Sequence, residues 1–256
     1  MNPLLITDLG LISYDDSVAL QQRLVATRKA GAIADVLLLC EHPPVITFGR
    51  NAKRENLLAN ENVLRQKNVA LHDTNRGGDV TFHGPGQIVG YPILDLGAIR
   101  RDVHWYVRTL EEVMIRASAD FGLTAFRIPG RTGIWVHPLA TSPEAQDTAA
   151  PEEKLAAIGV HISRWVTSHG FAYNVSTDLR YFELIIPCGI AERKATSLEK
   201  LLNRNVATSE GKPALVRHFA ELFSLEAIPT SREDLFSLLE HSDPSHLSTR
   251  KPSVAQ

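Results

Sequence analysis

Long apolar runs are missing from this 256-residue chain. None approaches the ~20 consecutive apolar residues that span a bilayer, so no membrane association is expected. A basic surplus is missing too. Lys and Arg total 27 against 29 Asp and Glu, for a formal net charge of -2, which argues against a nucleic-acid partner. Cysteine is scarce: Cys40 and Cys188 make no disulfide scaffold, and in a reducing cytoplasm each needs its own explanation. The N-terminus MNPLLITDLG lacks a basic region followed by an apolar core, so no export signal is expected. The absence of C-x-x-C and H-E-x-x-H weighs against a metal site. There is no G-x-x-x-x-G-K-[ST] cradle for phosphate, no G-x-S-x-G elbow for a serine nucleophile, and no internal repeat.

What stands out instead is RGGDVTFHGPGQI, Arg76 to Ile88, with four glycines in thirteen residues. Glycine lets a backbone turn sharply or pass close to another group, at an entropic cost. A tight hairpin would explain any one glycine pair. It would not require Arg76, His83 and Gln87 at its tip, so a ligand-facing loop is the better reading. The following IVGYPILDL reads as a strand and not as a helix, so a phosphate on a helix N-terminus is not expected. The loop suits an extended apolar or acyl ligand, with Gly77 and Gly78 as its points of close approach.

Capping and periodicity organise the rest. Residues 15–30 read as a helix stopped by Gly31, and VLLLC (36–40) as a buried strand. Pro43 and Pro44 then separate it from a second strand, and a short helix is expected from Glu61. Pro92 suggests that IVGYPILDL lies at an edge or bends. Asp102 caps a helix carrying Val103, Val107, Leu110, Met114 and Ala117 on one face. TAFRI (124–128) and GIWV (133–136) read as short strands, and 137–153 as a flexible insertion rich in Pro, Ala, Thr and Ser. LAAIGVHI and WVTSHGFAYNV read as a hairpin turning near Ser163, and LIIPCGI (184–190) as an apolar strand broken at Pro187. Two helices follow, one with Leu215, Phe219 and Leu222, the other capped by Ser231 with Leu235 and Leu238. The segment 243–256 has little to bury and is expected to be disordered. The fold class is α+β: a largely antiparallel or mixed sheet flanked by helices.

Two residues invite chemistry. Cys40 ends an apolar strand, where an inert buried thiol is the ordinary case. Cys188 lies between proline and glycine, on a turn that can present a side chain to a cleft. A thiol at its unperturbed pKa of ~8.5 is only ~3% thiolate at neutral pH, so a reactive cysteine needs a cation or base beside it. Lys194 (with Arg193 adjacent), Lys154, His83, His161 and His169 are all candidates, and spacing alone does not choose among them.

RGGDVTFHGPGQIVGYPILDL, EHPPVITFGR, KLAAIGVHISRWVTSHGFAYNV and IIPCGIAERKATSLEK together resemble the lipoyl(octanoyl) transferases, in order and with compatible spacing over about Val36 to Lys200. The resemblance implies a single domain of the lipoate- and biotin-protein ligase kind, here residues 1–242, with the 137–153 insertion and the 243–256 tail as additions. It implies octanoyl transfer from octanoyl-acyl-carrier protein to a lysine of lipoyl domains. Those acceptors are the 2-oxoacid dehydrogenase complexes and the glycine-cleavage carrier protein, and no cofactor is required. Cys188 matches the family's acyl-thioester nucleophile and Lys154 its lysine partner. Arg76, Gly77, Gly78, Asp79, Val80, Thr81, Phe82 and His83 match the acyl-substrate loop. Ala157, Ile158 and Gly159 match a second substrate stretch, and Gly170, Phe171 and Ala172 a third. For Lys154 to act in turn as acid and base, partial burial must ease loss of its proton. Arg100, Arg101 or Lys200 would dock acidic partners. The rival readings are an ATP-dependent lipoate-protein ligase, an octanoyl amidotransferase between lipoyl carriers, a thiol hydrolase and a non-catalytic acyl-binding module.

Overall fold

The computed structural model describes residues 1–137, 152–186 and 194–241. Cys188 with its PCGI turn, most of the expected insertion (138–151) and the expected tail (243–256) lie outside the described residues. The chain begins with strand β1 (Asn2–Leu11). Helix α1 (Tyr14–Lys29) follows, with Ser13 Oγ accepting the Asp16 N–H at 3.1 Å. Asp15 and Asp16 in its first turn and Arg28 and Lys29 in its last oppose the helix dipole. Strand β2 (Asp35–Glu41) leads through the proline pair to β3 (Val45–Phe48). A 3₁₀ turn at Arg54–Asn56, helix α2 (Glu61–Gln66) and strand β4 (Ala70–Asp73) come next.

The glycine-rich stretch is not one continuous loop. Strand β5 (Val80–His83) runs through it, and a turn at Gly84–Gly86 delivers the chain to β6 (Gln87–Ile93). After α3 (Leu96–Ile99), helix α4 (Val103–Ala119) starts at Asp102, whose carboxylate accepts the Trp105 N–H at 2.9 Å. Strands β7 (Ala125–Ile128) and β8 (Arg131–Val136) precede the hairpin β9 (Glu153–Ser163) and β10 (Val166–Asn174). Arg164 and Trp165 form that hairpin's turn at φ +50° and +66°, the left-handed values a two-residue β-turn uses. Where a strand was expected to start at Leu184, a 3₁₀ turn (Leu179–Leu184) ends and Ile185 makes only an isolated bridge to Leu57. Helices α5 (Leu198–Leu202) and α6 (Thr208–Phe223), strand β11 (Leu225–Pro229) and helix α7 (Arg232–His241) complete the chain. In α7 the core pair is Leu235 and Leu239, and Leu238 is 43% exposed, because residues four apart share a helix face.

The main sheet has eight strands in the order β11-β1-β2-β6-β10-β9-β8-β7. Its first three are parallel and the remainder antiparallel, so the sheet is mixed. A small sheet, β4-β3-β5, sits beside it. Helices α4 and α6 cover one face of the main sheet, where Leu37 and Leu39 of β2 point. Helices α1 and α7 cover the other, where Val36, Leu38 and Cys40 point. Coverage on both faces is why β2 reads as an unbroken apolar run and not as an alternation. Among the described residues no helix is long and apolar enough to cross a membrane.

Of the two readings offered for Pro92, an edge or a bend, the edge is excluded. Strand β6 lies between β2 and β10, and Pro92 pairs with Leu37 of β2. Towards β10 its ring faces Gly170, where a Cβ would sit 2.5 Å from Pro92 Cδ. The β6–β10 register runs only from Gln87 to Gly90, so the missing N–H falls where the ladder has already parted. Thr167 bridges the gap: its Oγ1 donates to the Pro92 carbonyl at 2.7 Å and accepts the Leu94 N–H at 2.9 Å. Thr167→Val keeps the shape but strands both backbone groups in the core. It should cost about 1–3 kcal/mol, read as a lower denaturation midpoint with an unchanged m-value.

Candidate active site

A cavity of about 420 Å³ opens between the glycine-rich stretch and the β9–β10 hairpin. That size falls within the ~300–1,000 Å³ usual for small-molecule sites. Val80, Val89, Val107, Ile158, Val160 and Phe171 supply much of its apolar wall. Arg76, Gly77, Gly78 and Asp79 form one rim. The rim is fastened to β9, with the Gly77 N–H donating to the Val160 carbonyl at 2.9 Å. Gly159 makes this crossing possible, since a Cβ there would lie 2.9 Å from the Gly77 carbonyl oxygen and 3.0 Å from Arg76 Cδ. The close approach read into Gly77 is therefore made, in part, to the protein's own strand.

Arg76 is buried and turns inward. Its guanidinium donates to the Thr47 carbonyl at 2.7 Å, the Thr47 hydroxyl at 2.9 Å and the Gly77 carbonyl at 3.0 Å. Asp79 fixes the other end of the rim, accepting the Val80 N–H at 2.7 Å and the Asn56 side-chain amide at 2.6 Å. Thr81 and His83 of β5 also line the cavity, but Phe82 points the other way. Its ring stacks on Tyr181 with centroids 4.7 Å apart, inside the core of the small sheet. The strand alternation of β5 dictates this split.

At one end of the cavity stands Lys154, half-buried, with Nζ 4.8 Å from the centroid of the Trp135 ring. The Lys154 backbone is held by residues 194–196. Its N–H donates to the Lys194 carbonyl at 2.9 Å, and its carbonyl accepts the Thr196 N–H at 3.0 Å. Lys194 also lines the cavity but is exposed. Ala157, Ile158 and Gly159 on β9 and Gly170, Phe171 and Ala172 on β10 form the wall that leads away from Lys154. Lys200, expected at a docking surface, instead gives its ammonium to both Glu153 oxygens at 2.8 Å. Arg100 pairs with Asp102 at 3.2 Å.

The floor is polar, and the glycine-rich stretch supplies two of its residues, His83 and Gln87. Tyr14, His83, Gln87, Tyr91, His169 and Asn174 meet there from α1, β5, β6 and β10. His83, Gln87 and Asn174 are bonded in series. Gln87 Nε2 donates to Asn174 Oδ1 at 2.9 Å and to the Phe82 carbonyl, so Gln87 Oε1 accepts from His83 Nδ1 at 2.7 Å. Asn174 passes the connection on to the Thr196 carbonyl at 2.9 Å, beside Lys154. Below the floor, His42 Nδ1 donates to the Ile12 carbonyl, leaving Nε2 to accept from the Tyr91 hydroxyl, both at 2.8 Å. Burial, with His42 and the Arg76 guanidinium nearby, pushes His83 down to about 3. Burial and Arg76 push His169 down to about 4. Both rings are neutral at physiological pH, as is His42 by the same cause. Burial raises Tyr14 and Tyr91, and Cys40, fully enclosed, has its thiol held protonated in the same way. Among the described residues no cluster of His, Cys, Asp or Glu could hold a metal ion.

Comparisons with known proteins agree on one family. The family model described as "Lipoyl protein ligase A/B catalytic domain" matches residues 13–220. A curated protein of Solibacter usitatus named "Octanoyltransferase" is 50% identical, over 88% of this chain and 94% of its own. Proteins of the same name from Koribacter versatilis and Acidobacterium capsulatum are 46% and 53% identical. The first covers 97% of this chain and 94% of its own, the second 75% and 77%. Among solved structures, a chain of the bipartite lipoate protein ligase system of Thermoplasma acidophilum superposes with TM-score 0.67 at 16% identity, covering 99% of both chains. A lipoate-protein ligase A bound with ATP gives 0.62 at 16% identity, covering 94% of this chain and 93% of its own. At that identity the likeness speaks for the fold alone.

The neutral floor makes stability depend on pH. Unfolded histidines titrate near ~6.5, so between that pH and about 3–4 the unfolded chain binds protons that folded His83 and His169 refuse. Stability should therefore be full above pH ~6.5 and fall as pH drops. The slope should reach up to about 1.4 kcal/mol per pH unit for each ring. Equilibrium unfolding from pH 7.5 to 4.5 measures the slope. A His83 or His169 ring proton resonance titrating near 6.5 in the folded protein would contradict it.

Proposed function

The chain belongs to the lipoyl protein ligase A/B catalytic family and is an acyltransferase, and from that premise we propose the following reaction. It moves an octanoyl group from octanoyl-acyl-carrier protein, through a thioester on Cys188, to the ε-amine of a lysine on lipoyl domains. The observation that carries this reading is the setting of Lys154. It stands at the end of an apolar cavity rimmed by the glycine-rich loop, its backbone hydrogen-bonded to residues 194 and 196, shortly after the PCGI segment in sequence.

In the first half-reaction the Cys188 thiolate attacks the thioester carbonyl of the donor. The C–S bond to the carrier breaks, and the departing thiolate takes its proton from the Lys154 ammonium. The octanoyl chain then lies along Ala157, Ile158 and Phe171, under the Arg76–Asp79 rim. In the second half-reaction the acceptor amine attacks the Cys188 thioester and gives its proton to the Lys154 amine. At an unperturbed pKa of ~10.4 that acceptor is neutral in only about one molecule in 2,500 at pH 7, so a base is needed. Amide forms, the Cys188 thiolate leaves, and the thiolate–ammonium pair is restored. Thioester exchange is nearly balanced and amide formation runs downhill, so ATP is not required.

Intact mass spectrometry tests the covalent step. Incubation with octanoyl-acyl-carrier protein alone should add ~126 Da, an octanoyl group replacing hydrogen, and Cys188→Ala should add nothing. Lys154→Ala should slow transfer by about 10²–10⁴-fold and leave the fold intact. Full transfer by Cys188→Ala, or activity that requires ATP with free octanoate, would refute the proposal.

A further inference from the structure

We propose that Trp135 is a positioning residue: it seats the Lys154 ammonium on its ring face and strengthens that amine's hold on its proton. This rests on the reading of Lys154 as the acid–base lysine. Trp135 of β8 and Lys154 of β9 are direct partners across the antiparallel ladder, so their side chains project to the same face. The Nζ–centroid distance of 4.8 Å is within the ~6 Å over which the negative face of an aromatic ring attracts a cation.

The ring itself is fixed. Trp135 is 4% exposed, and the strand leading into it is pinned from behind by the buried carboxylate of Glu111 on α4. Glu111 accepts the Gly133 N–H at 3.1 Å. A register shift between Ile134 and Trp135 brings Trp135, and not its neighbour, opposite Lys154.

Among the described residues, the other charged side chains that line the cavity are Arg76, Asp79, Arg131 and Lys194. The three cations favour the uncharged amine and Asp79 favours the ammonium. The indole face works against the cations. The seated ammonium can pair with a thiolate, and once it has given its proton to the departing thiolate it is the neutral amine that receives one from the incoming lysine.

The experiment follows Lys154 directly. Protein labelled with ¹³C-lysine is titrated by NMR, and the Lys154 side-chain signal is assigned by its loss in Lys154→Ala. In the wild type it should carry an upfield ring-current shift. Trp135→Leu should abolish that shift and lower the titration midpoint by about 0.5–1 pH unit, and Trp135→Phe by less. The Lys154-dependent limb of the pH–kcat/KM profile should move by the same amount, with KM little changed. Thermal unfolding confirms that each variant folds, and the Trp135→Phe result stands if Trp135→Leu does not. An unshifted signal, or a midpoint indifferent to both substitutions, overturns the inference. Should Lys154→Ala retain full transfer while the midpoint moves as stated, the proposed chemistry fails and the seating of the ammonium stands.

Discussion

The site depends on β9 having two different neighbours along one edge. From Glu153 to Ala156 that edge is paired with β8, which brings Trp135 alongside Lys154. Farther along, the β8 ladder has ended, and the Val160 carbonyl accepts from Gly77 of the substrate rim instead. A sheet edge must satisfy its outward carbonyls and amides or leave them to solvent. Here the second half is satisfied by a glycine-rich crossing, and the space beneath that crossing is the cavity. The other edge of β9 is paired with β10 from Ala156 to Ser163, behind the apolar part of the cavity, while Lys154 is held by residues 194–196. One strand therefore sets both the reactive end of the site and the roof over its apolar part.

The sequence carried the elements whose boundaries are chemical. Asp102, Ser231 and Asn60 each accept an N–H from the first turn of a helix, and the Pro43–Pro44 break separates β2 from β3. It was less informative where long-range pairing decides. β1 and β11 are neighbours separated by most of the chain, and neither is patterned strongly enough to announce itself. Pro92 left an edge or a bend open, and the edge is excluded by Gly170 and Thr167, more than seventy positions away, which accommodate it inside the sheet. β5 was hidden among glycines that belong to the turns on either side of it.

The candidate site shows the same division. The residues drawn from the motifs in 76–83, 154–159 and 170–172 line one cavity, apart from Phe82, whose alternation on β5 sends it to the small core. Tyr14, Trp135 and Asn174 line it too, and nothing local distinguished them. Tyr14 looks like the first residue of an ordinary helix, and Trp135 like one more apolar residue in GIWV. The arginine and histidine of the glycine-rich stretch were read as ligand-facing groups. Arg76 and His83 instead hydrogen-bond Thr47, Gly77 and Gln87, so their polarity first serves to hold the cavity open. Burial of that much polar surface is tolerable because these groups find hydrogen-bond partners in the protein.

The sheet's parallel end has a bearing on synthesis. β1 and its partner β2 are translated close together, but the strand that covers the other flank of β1, Leu225–Pro229, is translated far later. For nearly the whole of that interval the nascent protein displays an unpaired strand edge, the feature by which partly made chains recruit one another. Chaperone demand in the cell should accordingly fall on chains that have not yet reached β11, and truncations just short of it should aggregate where slightly longer ones do not.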